Sequence, residues 1–241
     1  MSNLIQSAKE NLEFLGVCLL VIVVIFAVAV FAEKWLRKKN HIPKSVSPAR
    51  RVAIVGLFSA ISGVLMYFEL PLWFAPSFYE LDFSEIPVLI CGFSMGPIAG
   101  VAAELCKVLV KLFLKGTSTA FVGDLANFMV GCALVLPATI IYYHKKSKKM
   151  AIIGLVTGTL IMTVFGSAFN ALYLIPKFSQ LFGMPLEAIV GMGTAINPSI
   201  QSVWTLVLFA VVPFNLLKGL IVSVITVLLY KHISPILKGQ H

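Results

Sequence analysis

The chain has 241 residues, 59% of them hydrophobic and only 12% charged, with a mean hydropathy of +0.97. That is more apolar surface than a water-soluble domain of this length needs, so its long apolar stretches read as membrane spans. A formal net charge of +9 would point to nucleic acid in a soluble protein; here the placement of the charges explains it, and no nucleic-acid partner is expected.

Runs of spanning length, about 20 residues, occur at 15–32, 52–68, 98–114, 120–143, 151–175 and about 213–230, with a shorter run at 86–96 between Glu85 and the Gly96–Pro97 breaker. The first, LGVCLLVIVVIFAVAVFAEKWLRKK, has no basic region before it and no small-residue cleavage site after it, so it is predicted to be an anchor and not a signal peptide. The expected organisation is an N-terminal transmembrane helix over 1–33, dispensable for chemistry, a basic cytoplasmic linker over 34–51 containing Pro43 and Pro48, and a six-helix membrane domain over 52–235.

Basic residues test the count through the positive-inside rule. If all seven segments cross, one side receives Lys34, Arg37, Lys38, Lys39, Lys44, Arg50 and Arg51, then Lys145, Lys146, Lys148 and Lys149, then Lys231 and Lys238, which is thirteen of the nineteen. The other side receives Lys9, Lys115 and Lys177 together with Glu69, Glu80, Asp82 and Glu85. Omitting the short segment breaks this parity. The prediction is an N-terminus outside and a C-terminus in the cytoplasm.

In chain order, the segment at 52–68 places small residues one turn apart at Gly56 and Ala60, and again at Ser59 and Gly63. Such faces let helices approach closely in lipid, for docking or for packing within the core. The loop ELPLWFAPSFYELDFSE follows, with Trp73, Phe74, Phe78, Tyr79 and Phe83 among four acids and no base. It reads as an interfacial aromatic belt or as the wall of a cavity. On 98–114, Glu104, Lys107 and Lys111 share one helix face, where Glu104 pairs with Lys107 and Lys111 snorkels outward. Asp124 and Asn127 lie three apart near the outer end of 120–143, and Asn170 precedes Pro176 near the outer end of 151–175.

Counting back from Lys231, 18 residues reach Pro213, about 27 Å at 1.5 Å per residue. Pro213 is therefore expected in the first turn of the last helix, where its missing N–H costs nothing, with Asn215 and Lys218 in the outer turns. The preceding 177–212 is read as an outside segment whose apolar patch VWTLVLFAVV is a helix extension or a lid. An intramembrane lysine normally has a partner or a function: either a ligand and Asn170 satisfy Lys218, or it pairs with Asp124 or Glu104.

Cys18, Cys91, Cys106 and Cys132 are scattered singly, which favours packing over a metal site or disulfides. His41, His144, His232 and His241 all sit in basic flanks, and GxxxxGK[ST] does not occur; GFSMG at 92–96 matches GxSxG in letters but lies in a short apolar segment and not on a strand-to-helix elbow, so no P-loop ATPase or serine-hydrolase chemistry is expected. What remains is one outward-facing cavity lined by Asn127, Asn170, Asn215 and Lys218 with aromatic walls. That set suits a flat heteroaromatic ligand with an amide-like edge.

LDFSEIP, LANFMVG, AFNALYLIP and above all PFNLLKG resemble the riboflavin-specific substrate-binding (S) components of energy-coupling factor (ECF) transporters, the RibU group, over about 52–235. The resemblance implies an all-α membrane protein with a six-helix S-component core, here preceded by one extra transmembrane helix. It implies a high-affinity riboflavin-binding subunit in a bacterial cell membrane, served by a scaffold membrane subunit and two ATPase subunits, with no catalytic residues, metal or resident cofactor. FMN is a further ligand to test. Carried over by motif, Asn170, Asn215 and Lys218 contact the ligand, with Asn127 beside them, and Tyr79, Leu81, Asp82 and Phe83 form the end of the lid; Asp82 is equally readable as a loop cap. Gly56, Ser59, Ala60 and Gly63 become the docking face for the scaffold. The alternatives are an S component for another vitamin, or an ion-coupled permease or intramembrane enzyme built on Glu104, Lys107 and Asp124.

Overall fold

The computed structural model describes residues 12–40 and 47–238; Lys9, His41, Pro43, Lys44 and His241, named above, lie outside them. Backbone amides in hydrocarbon have no water to bond, so a chain of this composition forms helices that satisfy their own hydrogen bonds. The helices are α1 (Leu12–Lys39) and α2 (Pro48–Leu65), then α3 (Glu85–Met95), α4 (Pro97–Lys115) and α5 (Val122–His144). Next, α6 (Lys148–Phe169) continues through a π-helical turn, Asn170–Leu174, into α7 (Ile175–Phe182), followed by α8 (Leu186–Thr194). The last rod is α9 (Val203–Leu206), a second π-helical turn, Val207–Val211, and α10 (Val212–Lys238). Between α2 and α3 the loop is closed by two short antiparallel strands, β1 (Leu70–Pro71) and β2 (Glu80–Leu81), paired Leu70 to Leu81.

All seven predicted apolar segments are helical. Five of the resulting helices are long and apolar enough to cross a membrane on composition alone. The other two are α4, which carries Glu104, Lys107, Lys111 and Lys115, and α3, which has only 11 residues. Local chemistry sets the boundaries. Ser47 accepts from the Arg50 N–H and Pro48 opens α2. Gly96, at φ 103°, supplies the break between α3 and α4. Ser147 caps α6 through the Met150 N–H.

Two expectations are corrected and one open alternative is decided. The basic stretch Lys34–Lys39 is not linker but the last turns of α1. Pro213 is not in a first turn: the last helix begins ten residues earlier, at Val203, and the π-helical turn immediately before Val212 absorbs the hydrogen bond that Pro213 cannot donate. The patch 203–212 is thus a helix extension. Pro176 follows the first π-helical turn at the same distance, so both long rods solve the proline problem alike.

Short α3 sits at the centre, buried along nearly its whole length, and shares one apolar cluster with α5, α6 and α10 that includes Leu89, Phe93, Leu134, Leu155 and Val222. Helix α6 approaches α5 closely because Gly154 and Gly158 lie against the carbonyls of Ala138 and Leu134, the small-residue packing expected where lipid gives no hydrophobic drive. Helix α1 packs on α4 and α5 and is not a detached anchor. Its Glu33, 1% exposed, accepts from Arg51 at the base of α2 and from the Ile98 N–H at the start of α4, both at 3.0 Å. It also accepts from Arg37 of its own helix at 3.1 Å.

An added Cβ at Gly158 would stand 2.5 Å from the Leu134 carbonyl oxygen, and backbone cannot step aside as a side chain can. Gly158→Ala should force α5 and α6 apart at a cost of about 1–3 kcal/mol, read as a lower melting temperature in detergent. An unchanged melting curve would mean the helices separate freely.

Candidate functional site

The predicted polar residues converge at one end of the bundle, beneath the β1–β2 loop. A cavity of about 190 Å³ is lined by Tyr79 of the loop, Asn127 of α5, Asn170 of the first π-helical turn, and Phe214, Asn215 and Lys218 of α10. A second cavity of about 560 Å³ shares Phe78, Glu80, Gly123, Asn127 and Phe178 with it and continues past Glu69, Lys111 and Asp124. The two are adjoining chambers with a common wall.

Each polar group has a distinct state. Asn170 is closed: its Nδ2 donates to the Gly166 carbonyl at 2.8 Å, and its Oδ1 accepts from the Tyr79 hydroxyl at 2.7 Å. The Tyr79 ring also lies 5.7 Å from Phe214, so the loop is latched to two helices by one residue, and burial pushes its phenol above the ordinary range. Asn215 is 5% exposed and makes no side-chain hydrogen bond among the described residues. Its Nδ2 lies 3.1 Å from where a Cβ on Gly166 would stand, so that glycine gives the amide its space. Asn127 Oδ1 is buried with no hydrogen-bond partner among the described residues. Two amides therefore face the inner chamber with unused capacity, which is costly unless something binds there.

Lys218 is paired, and with neither residue considered from sequence: its Nζ donates to Asp82 Oδ2 at 2.8 Å. Asp124 instead takes Lys111 at 2.6 Å, so Lys111 does not snorkel, and Glu104 takes Lys107 at 2.6 Å, with Glu85 on the same ammonium at 2.8 Å. Of its two sequence readings Asp82 takes the loop cap, since its Oδ1 accepts from the Ser84 N–H at 2.8 Å just before α3. Burial alone would raise its carboxyl; the ammoniums of Lys218 and Lys107 more than reverse this and hold it well below the usual carboxylate range.

The lid residues divide. Tyr79 lines the inner chamber. Leu81 is buried in β2, Phe83 packs on the central apolar cluster, and Asp82 reaches the chamber only through Lys218. Trp73 is 87% exposed, as a belt residue is, whereas Phe74 packs under the loop. Phe78, one of the loop aromatics read as a belt or a cavity wall, lines the chamber; missed from sequence were Phe214, although it lies inside PFNLLKG, and Phe178 and Glu80. Burial, with the Glu69 carboxyl beside it, raises the carboxyl of Glu80. The small residues of α2 also divide. Gly63 and Ser59 are buried, with Gly63 against Val110 of α4, while Gly56 and Ala60 lie on an open face where a Cβ at Gly56 would meet nothing within 4 Å. Among the described residues all four cysteines are free.

The sequence matches the family model for the ECF transporter substrate-specific component over residues 50–230. It is 33% identical over 190 residues to the riboflavin transporter RibU of Staphylococcus aureus, covering 78% of this chain and 93% of that one. It is 28% identical over 192 residues to the riboflavin transporter FmnP of Bacillus subtilis, covering 79% and 95%. A solved structure described as the S component of a bacterial ECF transporter superposes with a TM-score of 0.62 at 32% identity, covering 80% of this chain and 99% of that one.

Lys218→Met strands the Asp82 carboxylate, and losing one partner of a buried pair costs about 3–5 kcal/mol. The double variant Lys218→Met with Asp82→Asn should recover most of that, as a thermal or denaturant cycle will read. Since the Asp82 pKa is depressed in the fold, its contribution is complete above the unfolded value near 3.9 and is lost as pH falls through the folded value. Acid should therefore lower the melting temperature below about pH 4, and Asp82→Asn should flatten that limb. A single variant as stable as the wild type would show that the pair contributes nothing.

Proposed function

The chain belongs to the substrate-specific components of ECF transporters, and we propose that within this family it captures riboflavin outside the cell and hands it to partner subunits for uptake. The observation that carries this reading is a pair of amides lining one aromatic-walled chamber, Asn127 with a buried Oδ1 that has no partner among the described residues and Asn215 with no side-chain hydrogen bond among them, in a chain whose relatives are named riboflavin transporters.

The chemistry is complementary. The imide edge of a flavin offers alternating acceptors and a donor, and a side-chain amide can both give and accept. Tyr79 and Phe214 supply faces for the flat ring system. Lys218 spends one N–H on Asp82 and retains two more for carbonyl or hydroxyl oxygens, so its ion pair and a ligand contact coexist. A chamber of about 190 Å³ is below the 300–1,000 Å³ typical of small-molecule sites. The ligand therefore extends into the adjoining chamber, and the Tyr79 latch opens to admit it. FMN is the further ligand to test; in the adjoining chamber its phosphate would meet Lys111 but also the carboxyls of Glu69, Glu80 and Asp124, which favours the uncharged riboflavin.

The distribution of basic residues supports an N-terminus outside and a C-terminus in the cytoplasm, placing the cavity on the outer side of a bacterial cell membrane. The open face of α2 at Gly56 and Ala60 is a suitable landing for a scaffold membrane subunit, with Ser59 and Gly63 supporting it from within. Helix α1 lies against α4 and α5 and leaves that face clear. Two ATPase subunits complete the importer.

Purified protein should bind riboflavin near 1:1, colour yellow and quench the flavin's fluorescence through ring stacking. Asn215→Ala should cost about 1–3 kcal/mol, roughly 5- to 150-fold in affinity, without loss of folding. Titration of folded protein with no flavin binding would refute the reading. Reconstituted alone in liposomes, the protein should give no concentrative uptake; accumulation driven by an ion gradient would move it to the permease class.

A further inference from the structure

Away from the cavity, Glu104 and Lys107 of α4 are fully buried, and Glu85 at the start of α3 is 2% exposed. The Lys107 ammonium donates to Glu85 Oε1 at 2.8 Å and stands 2.6 Å from Glu104 Oε1. Among the described residues, both oxygens of Glu104, and Oε2 of Glu85, have no hydrogen-bond partner. Room for the Glu104 carboxyl is made by Gly131 of α5, where an added Cβ would collide with it.

The charges around this site do not balance. The other titratable or charged groups facing it are Asp82 of the lid loop, Lys218 of α10 and Cys132 of α5. Helix α2, packed on α4 through Gly63, has only Phe58, Ser59, Ser62 and Gly63 among its buried residues. Lys218 is committed to Asp82. Three buried carboxyls thus share two ammoniums, and full ionisation would leave one uncompensated negative charge in low dielectric. Such a charge costs several kcal/mol, and a buried group in that position neutralises instead. Two carboxylates on one site cannot both ionise.

We propose that Glu85 and Glu104 share one proton at neutral pH. The O–H of one acid donates to an oxygen of the other, which gives two of the three orphaned oxygens a partner and leaves Glu104 Oε1 against the Lys107 ammonium. The pair then carries a single negative charge, balanced by Lys107, and the cluster with Asp82 and Lys218 is neutral. The proton is a resident ligand holding α3 to α4, and its presence is independent of the transported ligand's identity.

Infrared spectroscopy of the purified protein in lipid at neutral pH, in H₂O and D₂O, tests this. The wild type should show the carbonyl stretch of a non-ionised carboxylic acid, shifting on deuteration. Glu104→Gln should lose it, because Glu85 is then the only acid on Lys107 and ionises. Glu85→Gln should lose it for the converse reason, and both variants should melt within about 3 °C of the wild type. The double variant strands Lys107 and should melt well below either. Absence of the band in the wild type, or its survival in either single variant, overturns the proposal. If one glutamine variant does not fold, the wild-type spectrum and the other variant decide it.

Discussion

A lysine ammonium in hydrocarbon must have a counter-charge within hydrogen-bonding reach, and Lys218 finds its own 136 residues away, in Asp82. That demand draws the end of the lid loop down onto the last helix. The same aspartate accepts from the amide of Ser84, the residue that leads into α3, so the loop, the entry to the central helix and α10 meet at one carboxylate. Tyr79, three residues earlier, then lands on Asn170 and Phe214, and the inner chamber acquires its roof. The pair is expensive to desolvate and adds little net stability over an apolar substitute. What it contributes is position: it fixes where a mobile class of element, a surface loop, must sit over a binding chamber.

A second constraint runs through α4. Its face carries Glu104, Lys107 and Lys111, and each charge is answered by a different neighbour: Lys107 by α3 and by Glu104 itself, Lys111 by Asp124 of α5. At the other end, Glu33 of α1 answers Arg51 of α2 and the first free amide of α4. The bundle is therefore stitched by ions at both ends and packed by small residues between, at Gly154 and Gly158 of α6 and at Gly219 of α10 against Thr159. In lipid, where apolar burial gives no preference for protein over solvent, these are the interactions left to specify a single arrangement.

Much of this was legible in the chain. Helices reveal themselves by apolar length, and even short α3 was marked by Glu85 before it and Gly96–Pro97 after it. The convergence of Asn127, Asn170, Asn215 and Lys218 followed from counting residues from the membrane edge, because a helix converts sequence distance into depth. Partners were harder, since spacing along one helix constrains only that helix. Glu104–Lys107, three residues apart, was readable, whereas Asp82–Lys218 depends on the path of a loop. The start of the last helix was misplaced because Pro213 was treated as a boundary, when a π-helical turn allows a proline to stand inside. Phe178 and Glu80 carried no signal at all: an aromatic residue on a short outer helix and an acid in an acidic loop look ordinary until the fold brings them to the same opening.

The two π-helical turns have a bearing on how such a cavity changes over evolutionary time. A π-helical turn holds one residue more than the α-helical turn it replaces, so it acts as a local store of chain length. Deleting a residue at 170–174 or 207–211 would convert the turn to ordinary helix, the lost residue coming out of the wide turn itself, so the helices on either side keep their faces, whereas the same deletion in plain α-helix would rotate one side by about 100°. The inner part of each rod, packed on α3 and α5, would keep its register. Asn170 lies at the start of one store and Asn215 just past the other, so a single-residue length change is absorbed beside the chamber and alters its wall locally while the helices on both sides stay in place. Length variation at these two positions, more than substitution in the core, is the economical route by which one scaffold could come to admit differently shaped cargo.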